Sequence, residues 1–243
     1  MVWMADHSCG VGFGELGVVL SSIGDLRGYT SAEIDVEASA RSGSAPPPGP
    51  SRDGLIEIRW HGRGGQGVVT AGELLAEAAL FEGRYFQAFP EFGAERTGAP
   101  ILAYTRLSPR PIDLHCPIAE PDIVVVLDAT LLSAVDVSQG LKNGGIVLIN
   151  APNPLPPAVR ALAGSDRGTY ALDATGIALD NLGRNIPNTA MIGALLNIAP
   201  VVGKSSCLDA MEKRLSARFP RKIVDANVRS FWQAHTVVRE YKG

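Results

Sequence analysis

From residue 55 onward the chain alternates short apolar runs with stretches whose apolar residues recur at helical spacing. The clearest run is DIVVVLD (122–128), a β-branched series without polar interruption, as in a strand buried on both faces. GIVLIN (145–150) repeats that pattern and stops at the proline-rich APNPLPP. LIEIRW (55–60), RYFQAF (84–89), ILAYTRLS (101–108) and TYALDA (169–174) supply further strands, with polar alternation in ILAYTRLS. Helical spacing covers 70–81 and ends at Gly83; a short helix is expected at about 130–140, closed by KNGG. Further helices are expected over 177–182, 189–199, 206–218 with Ser205 or Ser206 as cap, and 224–241 after Pro220. Strands alternating with helices predict an α/β domain with a mainly parallel sheet, whose ligands bind at the carboxyl ends of the strands.

Composition changes this picture at one place. Residues 40–54, ARSGSAPPPGPSRDG, are almost all small, Pro or Gly, and read as a linker or extended arm. The boundary therefore falls between an N-terminal extension, 1–54, and an α/β domain, 55–243. The extension is too short and cysteine-poor to hold a core of its own. Within it, CGVGF (9–13) looks like the opening of the glutaminase half of glutamate synthases, where a processed N-terminal cysteine is the nucleophile. Here residues precede Cys9 and the segment is far too short for that fold, so a small residue in a Gly-rich turn is the favoured reading.

Charge and cysteine usage narrow the function classes. A net charge of −3, with Arg and Lys scattered, gives no basic stripe for nucleic acid. Cys9, Cys116 and Cys207 lie far apart, with no CxxC, so neither zinc, an iron–sulfur cluster nor a disulfide framework is expected on this chain. No apolar run approaches the roughly 18 residues of a membrane span, and the N-terminus lacks a basic signal-peptide region. A cytoplasmic protein with no membrane association is expected.

HGRGGQG (61–67) carries the first candidate chemistry. Gly62, Gly64 and Gly67 have the G-x-G-x-x-G spacing of a dinucleotide turn. In that geometry Gly62 permits a tight exit from the strand, Gly64 lets backbone amides approach a ligand or partner, and Gly67 lets the helix pack on the strand. The helix start favours phosphate or carboxylate, and Arg63 offers a bidentate donor. A dinucleotide site also needs an acid at the end of the second strand, about 20 residues on. QAFPEF has none within the strand, and Glu91 lies beyond a proline. In its place comes PEFGAERTGAP (90–100), with Gly93, Gly98 and the pair Glu95–Arg96. Charged groups there read as a site or interface, with a solvated loop as the plainer alternative.

Taken together, GRGGQGVVTAGELLAEAA and FPEFGAERTGAP resemble the gamma subunit of the 2-oxoacid:acceptor oxidoreductases, whose relatives use pyruvate, 2-oxoglutarate, branched-chain 2-oxoacids, indolepyruvate or phenylglyoxylate. The family's G-x-G-G-Q-G loop is matched by Gly62, Gly64, Gly65, Gln66 and Gly67. Its G-P-E-x-R-G-G segment is matched by Gly93, Glu95, Arg96 and Gly98, with Ala94 where Pro is common and Thr97 where Gly is common, which leaves the substrate subclass open. PDIVVVLDAT and NTAMIGALLN (188–197) resemble later family segments, so the resemblance covers about 55–240.

The resemblance implies a Rossmann-like three-layer domain acting within a hetero-oligomer, with no catalytic group of its own. Thiamine diphosphate with Mg, and [4Fe-4S] clusters, would sit in alpha, beta and ferredoxin-like delta subunits, and a ferredoxin or NAD would accept the electrons. The complex would oxidatively decarboxylate a 2-oxoacid to an acyl-CoA. For this chain the resemblance implies structural support and a share in the coenzyme A entrance. Gly62, Arg63, Gly64, Gly65, Gln66, Gly67, Glu95 and Arg96 are the candidate binding residues. Arg63 and Arg96 would pair with coenzyme A phosphates or with a partner carboxylate. A free-standing NAD-dependent oxidoreductase and a nucleotide- or coenzyme-sensing module are the competing classes.

Other polar residues are weighed on chemistry alone. His61 and His115 lack a visible carboxylate orienter, which favours satisfied or exposed histidines over an acid or base. Cys116 reads as a small buried residue. Asp128 stands where such sheets place functional acids and equally where it would cap the following helix. Asn188 reads as a helix cap.

Overall fold

A computed structural model describes residues 54–91, 99–162 and 167–241. All of them fall in the second of two units into which the chain divides, Met1–Ser44 and Ala45–Gly243. In chain order the elements are β1 (Ile56–Arg63), α1 (Val68–Phe81), β2 (Tyr85–Glu91), β3 (Pro100–Ser108), β4 (Ile123–Val126) and a 3-10 turn (Ala129–Ser133). They continue with β5 (Ile146–Asn150), α2 (Pro157–Ala161), β6 (Gly168–Leu172), α3 (Ala174–Leu182), α4 (Asn188–Ile198), α5 (Lys204–Ser216), α6 (Arg221–Val237) and β7 (Arg239–Glu240).

The strands form one seven-stranded sheet of order β2-β3-β1-β4-β5-β6-β7. β1, β4, β5 and β6 are its parallel core. β3 runs antiparallel to β1, and β2 antiparallel to β3. The segment from Glu91 to Pro100 can turn a hairpin but cannot carry the dozen or more residues that a parallel crossover needs. The fold is thus α/β with a parallel core, as the alternation of strands and helices predicts.

The continuous apolar runs divide their side chains between two cores. Ile123, Val125, Leu127 and Leu148, with Ile58 and Trp60, face a large cluster with α1, α4, α5 and α6. Val124, Val126, Val147 and Ile149 face a smaller one that includes Val137 and Val159. The period of two is present inside DIVVVLD, masked because both faces are apolar. α4 is the most enclosed helix: Asn188 through Leu196 are all buried. A Cβ on Gly193 would lie 2.1 Å from the Phe231 carbonyl oxygen, so glycine lets α4 cross α6 backbone to side.

Three helix expectations need correction, and one short helix was not expected. The helix at 130–140 is only the 3-10 turn. Asp136 Oδ1 accepts from the Ser138 amide (3.0 Å) and hydroxyl (2.7 Å), a local turn that competes with helix. The Arg59 guanidinium also takes the carbonyls of Val137 and Gln139 away from any helical ladder. The C-terminal helix ends at Val237 rather than 241, because Arg239 and Glu240 pair antiparallel with Ala171 and Tyr170 at the free edge of β6. α5 begins at Lys204 with no side-chain cap from Ser205 or Ser206; the Glu82 carboxylate accepts from the Gly203 amide instead. The proline-rich stretch after β5 contains the short helix α2, with Pro157 in its first turn, where a missing N–H costs nothing.

Candidate functional site

β1 and β4 are parallel neighbours whose chains leave in opposite directions, toward β3 and β2 on one side and toward β5 and β6 on the other. The crevice at their carboxyl ends is therefore the switch point where sheets of this kind hold ligands. Two segments meet there: the glycine loop after β1 and residues 127–130 after β4.

Strand pairing continues past the expected exit, through Gly62 opposite Ile101 and Arg63 opposite Pro100. Close packing is supplied by Gly62, not Gly67. A Cβ on Gly62 would lie 2.4 Å from Val68 Cγ2 and 3.2 Å from Leu127 Cβ, so its absence lets α1 start against the end of β4. Gly67 has φ +78°, and a Cβ there would lie 2.5 Å from Asn188 Nδ2, so it serves the turn and the seat of α4's first residue. Gly64 does not offer a bare amide: its N–H reaches the Ala99 carbonyl at 3.3 Å.

Gln66 closes the loop. Its Oε1 accepts from the Arg63 backbone N–H (2.8 Å), and its Nε2 donates to Asp128 Oδ2 (3.0 Å). Asp128 Oδ1 accepts from the Thr130 amide (2.9 Å) and hydroxyl (2.6 Å). Arg63 Nε lies 3.2 Å from Asp128 Oδ2, and its guanidinium donates to Thr130 Oγ1 at 2.9 Å. Burial opposes ionisation of Asp128, but the Thr130 hydroxyl and amide, the Gln66 amide and Arg63 outweigh it and hold the carboxyl below its ordinary range. Asp128 caps the 3-10 turn, and its other carboxylate oxygen faces Gln66 and Arg63 at the crevice.

A second polar group borders the same edge. Asn150 Nδ2 donates to the Leu127 carbonyl and to Thr175 Oγ1, both at 2.8 Å, and its Oδ1 accepts from the Thr175 amide at 3.1 Å. Asn188 is the first residue of α4 rather than its cap, and its Oδ1 accepts from the Thr189 amide.

The other sequence candidates separate cleanly. His61 is buried, and Arg59 Nε donates to its Nε2 at 3.1 Å. Burial first, then the Arg59 charge, pulls its pKa down to about 4, so it is a neutral acceptor. His115 is exposed, and Cys116 is half-buried with its carbonyl accepting from Arg106. Contrary to expectation, β2 runs through Pro90 and ends in Glu91, which pairs with Leu102 and accepts from the Tyr104 hydroxyl. Among the described residues no group of three or more His, Cys, Asp or Glu could hold a metal ion, and no helix is long and apolar enough to cross a membrane.

Residues 57–237 match the family model described as pyruvate ferredoxin/flavodoxin oxidoreductase. The chain belongs to the pyruvate ferredoxin/flavodoxin oxidoreductase family. Within it, the chain is 46% identical over 177 residues to the pyruvate/ketoisovalerate oxidoreductases common subunit gamma of Thermococcus kodakarensis, covering 73% of this chain and 96% of that one. It is 46% identical over 176 residues to the pyruvate synthase subunit PorC of Methanocaldococcus jannaschii, covering 72% and 93%. The crystal structure of pyruvate oxidoreductase subunit PORC from Thermotoga maritima superposes with a TM-score of 0.66 at 41% identity, over 76% of this chain and 97% of that one. This is a gamma-type member of the family, as the two glycine-bearing loops indicated.

Of the candidate binding residues, the structure brings Gly62, Arg63, Gly64, Gly65, Gln66 and Gly67 together at the switch point; Glu95 and Arg96 lie outside the described residues. Thr130, Asn150 and Thr175 were not foreseen. Thr130 follows Asp128 at the spacing of a side-chain cap, which is a readable signal. The Asn150–Thr175 pairing joins distant segments and leaves no local signal.

Proposed function

We propose that this chain is the gamma subunit of a multi-subunit, thiamine diphosphate- and iron–sulfur-dependent 2-oxoacid:acceptor oxidoreductase that converts a 2-oxoacid to an acyl-CoA and CO2. The observation that carries this reading is coverage: the chain spans nearly the whole length of relatives that are themselves named as subunits. The complex is cytoplasmic, and a ferredoxin takes the electrons. Thiamine diphosphate, Mg and [4Fe-4S] clusters belong to alpha, beta and delta partners, while residues 55–243 give structural support and 1–54 form an arm against a neighbouring subunit. Docking on the alpha subunit falls to the glycine loop and the segment bearing Glu95 and Arg96. The half-buried Gln87 and Phe89 and the exposed Glu91 on edge strand β2 suit such a contact, mixing aromatic and polar groups.

Coenzyme A calls for a donor set that can take phosphate. At the glycine loop the Arg63 and Gly64 amides are bonded within the chain and the Arg63 guanidinium faces Asp128, so the donors offered to phosphate there are those at the start of α1, where no side chain makes a cap. Arg96 is a second candidate, beside Arg63, for a phosphate or a partner carboxylate.

Purification of the native protein tests the assignment. Co-elution with thiamine- and cluster-bearing subunits is expected, and a colourless lone oligomer refutes it. In the intact complex, Arg96→Ala should weaken coenzyme A affinity or assembly; unchanged values for both remove Arg96 from the site. Saturable NAD binding by the full chain would favour the free-standing oxidoreductase, against which it weighs that Glu91, the acid at the end of β2, accepts from the Tyr104 hydroxyl.

A further inference from the structure

Successive side chains of β1 point to opposite faces of the sheet. Ile58 and Trp60 join the large cluster, on the side where α1 and its uncapped first-turn amides lie. Arg59 and His61 face the other side, between Tyr104 and Leu102 of β3 and Val124 and Val126 of β4. Arg59 Nε donates to His61 Nε2 at 3.1 Å, so that nitrogen carries no proton and the ring hydrogen sits on Nδ1. Among the described residues nothing accepts from this Nδ1–H, although His61 is only 6% exposed. Every fully enclosed side-chain nitrogen or oxygen of those residues is hydrogen-bonded, so Nδ1 belongs to the small part of the ring that stays open.

We infer that His61 is an assembly contact: its Nδ1–H donates to a main-chain carbonyl of the subunit that docks over this face, beside edge strand β2. A donor held in one tautomer and mostly out of water is costly to leave without an acceptor once a further surface closes over it. A neutral carbonyl suits it better than an anion, because the nearby cations are already engaged. The Arg59 guanidinium donates to the Val137 and Gln139 carbonyls, and Arg63 lies against Asp128. Strand register makes the surface continuous: His61 stands opposite Leu102 and Leu102 opposite Glu91, while Tyr104 stands between Arg59 and Phe89. Phe89 and Tyr104 pack with ring centroids 5.2 Å apart, an aromatic centre beside the donor. Arg59 is then a positioning residue, which acts by fixing the tautomer of His61.

This contact presupposes the subunit reading above. The test uses the native complex carrying the wild-type chain, His61→Gln or His61→Asn, with each chain checked by thermal melting. Glutamine places a carbonyl near the Nε2 position, keeping an acceptor for Arg59, but offers no donor at Nδ1. Asparagine places its amide N–H near the Nδ1 position and gives up the acceptor for Arg59. Dilution followed by mass photometry gives the concentration at which the chain leaves the complex. His61→Gln should melt like wild type yet dissociate at about tenfold higher concentration, whereas His61→Asn should melt lower and dissociate close to wild type. A His61→Gln chain that assembles like wild type overturns the contact, as does one whose lost assembly comes with an equal loss of melting temperature relative to His61→Asn. A folded His61→Asn chain that assembles no better than His61→Gln overturns it too; if His61→Asn does not fold, His61→Gln decides alone. Unchanged assembly with a raised KM for coenzyme A assigns the donor to coenzyme A and overturns it. A wild-type chain that co-purifies with no other subunit overturns both readings, while every other outcome leaves the subunit reading standing.

Discussion

Gly193→Ala should be among the most damaging single-methyl changes in the molecule. The added Cβ would sit 2.1 Å from the Phe231 carbonyl oxygen and 2.8 Å from its carbon, against ordinary contact beginning at 3.4 Å. Both neighbours are backbone, so no rotamer change relieves the overlap, and the α4–α6 crossing must open by roughly 1 Å. A gap of about 0.5–1 Å forfeits a quarter to a half of each dispersion contact it touches. α4 is buried along Asn188–Leu196, so the displacement propagates into the core instead of toward solvent. Overpacking of this kind costs about 1–3 kcal/mol, occasionally more, and alanine recovers up to about 1 kcal/mol of helix propensity. The fully enclosed site places the cost at the upper end, for a net loss of about 2–3 kcal/mol. At roughly 2–4 °C per kcal/mol for a domain of this size, the melting temperature should fall by about 5–10 °C. Thermal unfolding of the full chain followed by circular dichroism measures it. A variant that melts at or above the wild-type temperature refutes the close crossing.

Three further outcomes follow from buried polar groups. Thr105→Val should cost about 1–3 kcal/mol by urea denaturation, because Thr105 Oγ1 accepts from Trp60 Nε1 at 3.0 Å and the valine leaves that buried N–H unpaired; an unchanged midpoint would mean the indole finds another acceptor. His61 is held neutral with a pKa of about 4 against 6.5 when unfolded, so the unfolded chain binds more protons between those values. Its contribution is complete above pH 6.5 and is lost as pH falls toward 4, by up to about 3 kcal/mol. Urea midpoints at pH 7 and 4.5 should therefore converge in His61→Gln relative to wild type, and equal pH dependence in the two proteins counts against a buried neutral imidazole. Arg106, 1% exposed, pairs with Glu57 at 3.0 Å and donates to the Gln87 side chain and the Cys116 carbonyl. Arg106→Met should cost about 3–5 kcal/mol, whereas Lys142→Met, at a partly exposed site, should cost under about 1 kcal/mol; comparable losses would show that the burial difference does not set the energies.

What the sequence made legible was local. DIVVVLD and GIVLIN form central parallel strands because an unbroken β-branched run suits burial on both faces, and the glycine loop falls between strand and helix as its spacing requires. Strand order was not legible, since nothing in RYFQAF or ILAYTRLS says that they return antiparallel beside β1. The 130–140 segment misled because its apolar residues fit a helix, while a buried arginine from β1 claims its carbonyls. The C-terminal strand was hidden for a similar reason: helix periodicity persists locally, but an unpaired sheet edge competes for the backbone. At the site, the glycine spacing was readable. The division of labour between Gly62 and Gly67 was not, because their neighbours Leu127 and Asn188 come from distant sequence.

The seat of Asn188 on Gly67 also has a consequence in time. The glycine loop emerges early in synthesis, and the residue that sits on it emerges about 120 positions later. At about 5–20 residues per second that interval is on the order of ten seconds. Over it the loop lacks its Asn188 contact and the large-cluster face of the sheet lacks α4. Such long-range closure is entropically late and slow. The nascent N-terminal half is then the stage at which a chaperone, or an early-docking subunit, would have apolar surface to hold.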